Sequence, residues 1–263
     1  MPELPEVEAA RHQLQRWTAG ASVVGVAGDG AKTLVGAAIL AWERRGKQLA
    51  ARLIDGSWWM LHFGMTGRVA LDPPAERRHV RASWQLSNGH VVAFIDTRRL
   101  GATRHAPAGT DPFAGLGPDA LDVLHRGNAS ETLAERLGTG SHGGILKDRA
   151  LDQQRLAGIG NIAILEGCWR ASIHPHTPVG AITADGWARL ATGLRDHLDA
   201  TLAGCLAEPD FLYVSEGGAN PFAIYGRDGA ACPRCGDGHR LTRTVRQGRP
   251  TVACLHCQPL PTA

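Results

Sequence analysis

Apolar residues fall near helical spacing at the start of the chain, where Leu4, Val7, Leu14 and Trp17 are separated by Glu6, Glu8, Arg11 and Gln15. This predicts an amphipathic opening helix: proline is tolerated in a first turn, and acidic side chains there complement the positive end of the helix dipole. From about Ser22 to His105 the period changes. The runs "SVVGV", "LVGAAILAWERRGKQLAARLI", "SWWMLHFGM", "RASWQLS" and "HVVAFID" are short and rich in Val, Ile, Leu and Trp, with Asp55-Gly56 and Asn88-Gly89 between them. Both dipeptides favour tight hairpin turns, so the region reads as an antiparallel sandwich or barrel. The stretch "APAGTDPFAGLGPD" is the best domain boundary. Beyond it the pattern is helical over about Pro118–Leu124, Ala129–Leu137, Gly144–Ala157, Asn161–Arg170 and Thr183–Leu206. "LAGIGN" joins two of these helices through a glycine-rich turn, with Asn161 placed to cap the second.

At 263 residues the chain is long enough for one large or two modest domains. No apolar run approaches a membrane span, and the acidic start lacks the basic opening of a secretory signal, so a cytoplasmic protein is expected. The net charge of +3 is unevenly distributed: residues 227–257 carry +4, all of it from arginine, and the remainder carries −1. A concentration of guanidinium in one segment favours phosphate binding.

That segment also holds Cys232, Cys235, Cys254 and Cys257. Two C-x-x-C pairs separated by 18 residues have the spacing of a four-cysteine zinc site, with the intervening chain long enough for a β-hairpin. Such a site leaves no open coordination position, so one structural Zn2+ is expected. Arg240, Arg243, Arg246 and Arg249 lie on the hairpin with Gly248 near its tip, which reads as phosphate contact or as a solvated charged surface. His239 and His256 are left outside the ligand set, and Cys168 and Cys205 read as small core residues.

Seven segments, in order along essentially the whole chain, resemble the formamidopyrimidine-DNA glycosylase / endonuclease VIII family. They are "PELPEVE", "RRGKQL", "LHFGMTG", "IDTRRLG", "LDQQRLAGIGNIA", "YGRDG" and the zinc hairpin. The resemblance implies an α+β chain with an N-terminal β-sandwich domain over 1–111, a helix-two-turn-helix domain over 112–222 and a zinc finger over 223–263. DNA would lie in the cleft between the two halves. It also implies a bifunctional glycosylase and lyase: after loss of Met1, the secondary amine of Pro2 attacks C1′ of the damaged nucleotide. A terminal amine titrates lower than lysine and is part neutral near pH 7.

On this reading Glu3 is the proton shuttle and Glu6 supports the site, although Glu6 also reads as a helix-start acid. Lys47 matches a strand-borne lysine used during strand cleavage. His62, Lys147, Asn161 and Arg249 match phosphate-binding positions, while Met65 and Arg98 match side chains that fill the gap left by an extruded base. Without the resemblance Asn161 reads as a helix cap, and His62 and Met65 as core. The chain departs from the oxidised-purine members at Leu100 for phenylalanine, Thr97 for proline, Ala163 for tyrosine, and in a shorter segment from Asp210 to Tyr225. Formamidopyrimidines, oxidised pyrimidines, hydantoins and bulkier adducts all remain candidate substrates. A non-catalytic lesion-binding protein on the same scaffold is the alternative, a zinc-ribbon interaction module a more remote one, and a monomer the default.

Overall fold

The computed structural model describes residues 2–140, 144–208 and 217–260. The chain divides into two compact units, residues 1–115 with 204–218, and residues 116–203 with 219–263.

The first unit opens with α1 (Leu4–Thr18) and continues through β1 (Val23–Gly28), β2 (Ile39–Arg45), β3 (Gln48–Leu53), β4 (Trp58–His62), β5 (Arg68–Leu71), β6 (Val80–Leu86), β7 (Val91–Ile95) and β8 (Ala102–Ala106). They form two antiparallel sheets, ordered β1-β6-β7-β5 and β2-β3-β4-β8. One core draws on both sheets and on Val7, Ala10 and Leu14 of α1, which makes the unit a sandwich with its opening helix packed on it. At its centre Trp59 lies between Trp42 and Trp84, with ring centroids 5.0 and 4.5 Å away. Tilted and edge-on rings at these separations add to the burial of their large apolar area. The expected hairpins join β3 to β4 and β6 to β7, with Gly56 and Gly89 at positive φ. The pattern did not single out β5 and β8: β5 has four residues, of which only Val69 and Leu71 form an apolar face, and β8 has five with no fully apolar face.

The expected amphipathicity of α1 needs correction. Its apolar positions are inside, but Glu6 and Glu8 are buried as well. Its polar stripe therefore reaches solvent only beyond the first two turns.

The second unit contains α2 (Ala120–Leu124), α3 (Ala129–Gly138), α4 (Leu146–Leu151), α5 (Asn161–Ala171), most of α6 (Ala184–Ala207), and the strands β9 (Ala231–Cys232), β10 (Gly236–Arg240), β11 (Thr242–Arg246) and β12 (Arg249–Ala253). The helix expected over 144–157 stops at Leu151. Asp152 turns extended and its carboxylate accepts from Gln154 N–H. The Gln153 amide then binds the Leu151 and Ile159 carbonyls and the Gly158 N–H, holding the connection in a non-helical shape. Asn161 is the first helical residue of α5, and Gly160 occupies the cap position, so the side chain of Asn161 is free of a capping role. β11 and β12 turn through Gln247 and Gly248, both at positive φ, as a two-residue type I′ hairpin requires. Leu165 of α5 shares a small core with Ile224, Leu241, Val252, Cys232 and Cys254.

Candidate active site and nucleic-acid interface

Each unit carries one group of the expected residues. In the first, Pro2 is buried and Glu3 stands at the N-cap of α1. Glu3 N–H donates to the Glu6 carboxylate at 2.9 Å, and the Glu3 side chain accepts from the Glu6 backbone, forming a capping box. Glu3 and Glu6 are only 2% and 8% exposed. Burial, and then the charge of Glu3, push Glu6 up to about 7. Acids two positions apart on one helix therefore differ in charge: Glu6 holds a proton near neutrality, whereas Glu8 does not. Burial pushes Glu8 up too, but hydrogen bonds from Arg11 and Arg44 outweigh it and hold the carboxyl below its ordinary range.

Lys47 does not lie on a strand. It follows Gly46 in the two-residue turn between β2 and β3, where Gly46 takes the positive φ. His62, at the end of β4, pairs in register with Gln48, the residue after Lys47. Partial desolvation and the Lys47 charge lower its pKa. Gly64 N–H donates to Nδ1, so the ring of neutral His62 carries its proton on Nε2. The residue is exposed, which removes the core reading of this histidine.

Met65 is half-buried and Arg98 exposed, on two loops that pack closely. Gly64 sits at φ +60, and a Cβ there would lie 2.4 Å from the Leu100 backbone, so only glycine lets the loops meet. Asp96 organises this contact, and sequence reasoning missed it. The buried carboxylate accepts from Thr66 Oγ1 at 2.5 Å, Arg98 N–H at 3.1 Å and Gly101 N–H at 2.7 Å. These bonds outweigh burial and hold Asp96 below the usual carboxylate range. Its presence in "IDTRRLG" was the available signal. Leu100 is half exposed at the same loop.

In the second unit Lys147 and Asn161 converge on β12. Lys147, 1% exposed, donates to Pro250 O at 2.7 Å and Thr251 Oγ1 at 2.8 Å. Asn161 Nδ2 donates to the same Pro250 carbonyl at 3.2 Å. Burial, and then the nearby Arg249 charge, push Lys147 down to about 8. Arg249 itself is exposed. Of the other hairpin arginines, Arg246 pairs with Asp148 at 2.7 Å and Arg240 donates to Gly229 O, so these two face protein partners. Glu166 was also missed: fully buried on α5, it accepts from Ala223, Ile224 and Tyr225 N–H at 2.9 to 3.1 Å and pairs with Arg170. It fixes the end of the Asp210–Tyr225 segment, of which residues 210–216 lie outside the described residues.

The Sγ atoms of Cys232, Cys235, Cys254 and Cys257 all lie within 4.8 Å of one another. Cys232–Cys257 and Cys235–Cys254 are each separated by 3.9 Å. A tetrahedral ion with Zn–S bonds of about 2.3 Å needs edges of about 3.8 Å, whereas a disulfide needs about 2.05 Å. The donor set therefore fits Zn2+ and not a pair of bridges. His239 and His256 stack on each other at 3.8 Å and stand outside this group.

The family model for the formamidopyrimidine-DNA glycosylase N-terminal domain matches residues 1–103. A formamidopyrimidine-DNA glycosylase of Kineococcus radiotolerans is 34% identical over 99% of this chain and 98% of its own length. The crystal structure of the MutM (Fpg) protein from Thermus thermophilus superposes with a TM-score of 0.81 at 31% identity, covering 99% of this chain and all of the other. Lactococcus lactis Fpg, solved in complex with DNA containing an abasic site, shares the fold with a TM-score of 0.83 at 23% identity, over 98% of this chain and 100% of the other.

Proposed function

The chain belongs to the formamidopyrimidine-DNA glycosylase family, and from that premise we propose that it excises damaged, oxidised bases from DNA through an amine at Pro2 and then cleaves the abasic strand. The observation that carries this reading is the buried pair Glu3 and Glu6 at the start of α1, directly after the buried Pro2. Removal of Met1 makes Pro2 a secondary amine. Its nitrogen attacks C1′ as the bond to the base breaks, and the proton lost from the nitrogen goes to the departing base. Glu3 delivers a proton to O4′ as the sugar ring opens, leaving an iminium between Pro2 and C1′. The iminium acidifies the C2′ hydrogen; its removal to Glu3 expels the 3′ phosphate, loss of the C4′ hydrogen to solvent then expels the 5′ phosphate, and water hydrolyses the iminium to free Pro2. Glu6, bonded to Glu3 N–H, holds the start of α1 in place through these proton transfers.

Lys47, in the β2–β3 turn, and His62 Nε2–H suit phosphates around the reacting sugar. In the second unit, the exposed Arg249 suits DNA phosphate, as does Asn161 through the amide N–H not given to Pro250 O. Met65, Arg98 and the exposed Leu100 suit the gap left in the duplex, an aliphatic wedge in place of an aromatic one. Zn2+ on Cys232, Cys235, Cys254 and Cys257 would supply shape to the hairpin and no step of the reaction. The partner is damaged DNA, bound by a monomer in the cytoplasm.

The test begins with mass spectrometry of the purified chain, expected to show Pro2 as its first residue. Pro2→Gly should then bind a duplex containing an abasic site as the parent does and fail to cleave it. Normal cleavage by Pro2→Gly sinks the amine mechanism. Tight binding without cleavage by the parent moves the chain to a non-catalytic lesion-binding role.

A further inference from the structure

Lys147 occupies a position that the family resemblance assigns to phosphate binding, yet its surroundings suit another task. Its ammonium is almost wholly enclosed, and two of its three N–H groups are spent on Pro250 O and Thr251 Oγ1. A cation that binds DNA phosphate by exchange with salt ions works from the surface. Arg249 has that exposure, and it immediately precedes Pro250. The other strand of the hairpin is held from the same helix: Arg246, the cross-strand partner of Arg249, pairs with Asp148, the residue after Lys147. Two consecutive residues of α4 thus grip both strands at the hairpin tip.

The grip extends one residue further. The Thr251 hydroxyl accepts from Lys147, which leaves its own proton for His176 Nε2 at 3.0 Å. Burial, and then the charges of Arg246 and Lys147, lower His176, so the neutral ring can accept. His176 is fixed in turn by its own N–H, which donates to His174 Nδ1 at 3.0 Å. Thr251 is 1% exposed, so the hydroxyl at the centre of this arrangement is internal, with His176 half-buried beside it.

We propose that Lys147, Thr251 and His176 are positioning residues that set Arg249 for phosphate through the backbone of β12, and that Lys147 is not a phosphate ligand in its own right. The inference rests on the reading of Arg249 as a phosphate contact. Its physical content is that one backbone segment, Pro250–Thr251, carries the orientation of the neighbouring guanidinium. A bidentate guanidinium contact depends on direction as well as charge.

The experiment measures affinity for a duplex carrying a tetrahydrofuran abasic analogue, as a function of salt, for the zinc-loaded parent and for Arg249→Ala, Lys147→Met, the double variant, Thr251→Val and Thr251→Ser. Each lost phosphate contact flattens the log–log slope by about one unit. Arg249→Ala and Lys147→Met should each flatten it by about one unit, and the double variant should be no flatter than either. Thr251→Val, which removes no charge, should flatten the slope part of the way, and Thr251→Ser should restore it. Flattening by about two units in the double variant makes Lys147 an independent ligand and overturns the inference while leaving Arg249 in place. An unchanged slope in Arg249→Ala overturns the phosphate reading and the inference with it. Should Lys147→Met lose its zinc, the threonine pair decides: a parental slope in Thr251→Val rejects the proposal.

Discussion

The start of α1 and the junction of α4 with β12 each bury an ionisable group, and they do so to opposite effect. Glu6 is enclosed beside another acid, so the cheapest response is to keep a proton, and its carboxyl rises to about 7. Lys147 is enclosed among neutral oxygens that accept its N–H bonds, so it falls only to about 8 and stays largely charged at neutrality. One environment favours a neutral carboxyl bonded to the Glu3 N–H; the other keeps a charged ammonium bonded to neutral acceptors. Glu8 completes the contrast, since a carboxylate buried on the same helix as Glu6 but bonded to Arg11 and Arg44 remains an anion.

The largest expected effect lies at the first of these regions. Glu3→Gln keeps the size and polarity of the side chain but removes the transferable proton. Base release and strand cleavage should fall by about two to four orders of magnitude, with abasic-duplex affinity nearly unchanged. Equal losses in binding and cleavage would make Glu3 a structural cap.

Next comes the ion pair. Glu8→Ala strands Arg44, whose side chain is 5% exposed, without its carboxylate. Denaturant unfolding should show a loss of about 3–5 kcal/mol. A loss under about 1 kcal/mol, the range of exposed pairs, would mean that solvent reaches Arg44 and that the contrast with Glu6 is one of degree.

Glu6 sharpens the comparison through pH. Its folded-state value near 7 exceeds the ordinary 4.5, so the folded chain retains a proton that the unfolded chain has released between those values. The resulting stability is complete below pH 4.5 and is lost as pH rises through 7. Glu6→Gln should abolish that decline, which is on the order of 3 kcal/mol. A parental pH profile in the variant would place Glu6 in an ordinary carboxylate environment.

The smallest effect is on the exposed face of the β11–β12 hairpin. Arg243→Ala, on the exposed face of β11, should change the salt slope by less than the roughly one unit expected of a direct contact. A full unit would extend the phosphate surface along the strand.

Much of this was legible in the sequence because it rests on short-range rules. The C-x-x-C pairs, the Asp-Gly and Asn-Gly turns and the apolar spacing of α1 each specify geometry within a few residues, and the structure follows them at Cys232–Cys257, at Gly56 and Gly89, and at Leu4–Thr18. What escaped depended on partners distant in sequence. Nothing near Asp96 discloses that Thr66 is 30 residues away and bonded to it. Glu166 reads as one acid of an apolar helix until the amides of 223–225 arrive. Lys147 reads as a phosphate-binding position until β12, more than 100 residues later, supplies its acceptors. The early end of α4 has the same origin, since Gln153 satisfies groups as far away as Ile159 and breaks the helical register that the pattern alone continues.

The most direct test of the account is borohydride trapping on duplexes carrying an abasic site, 8-oxoguanine, formamidopyrimidine, thymine glycol or a hydantoin, followed by peptide mapping of the adduct. The account predicts a covalent complex through the nitrogen of Pro2, formed on the abasic duplex and on at least one oxidised base. A complex mapped to Lys47, or none on any duplex that the chain binds, would contradict it.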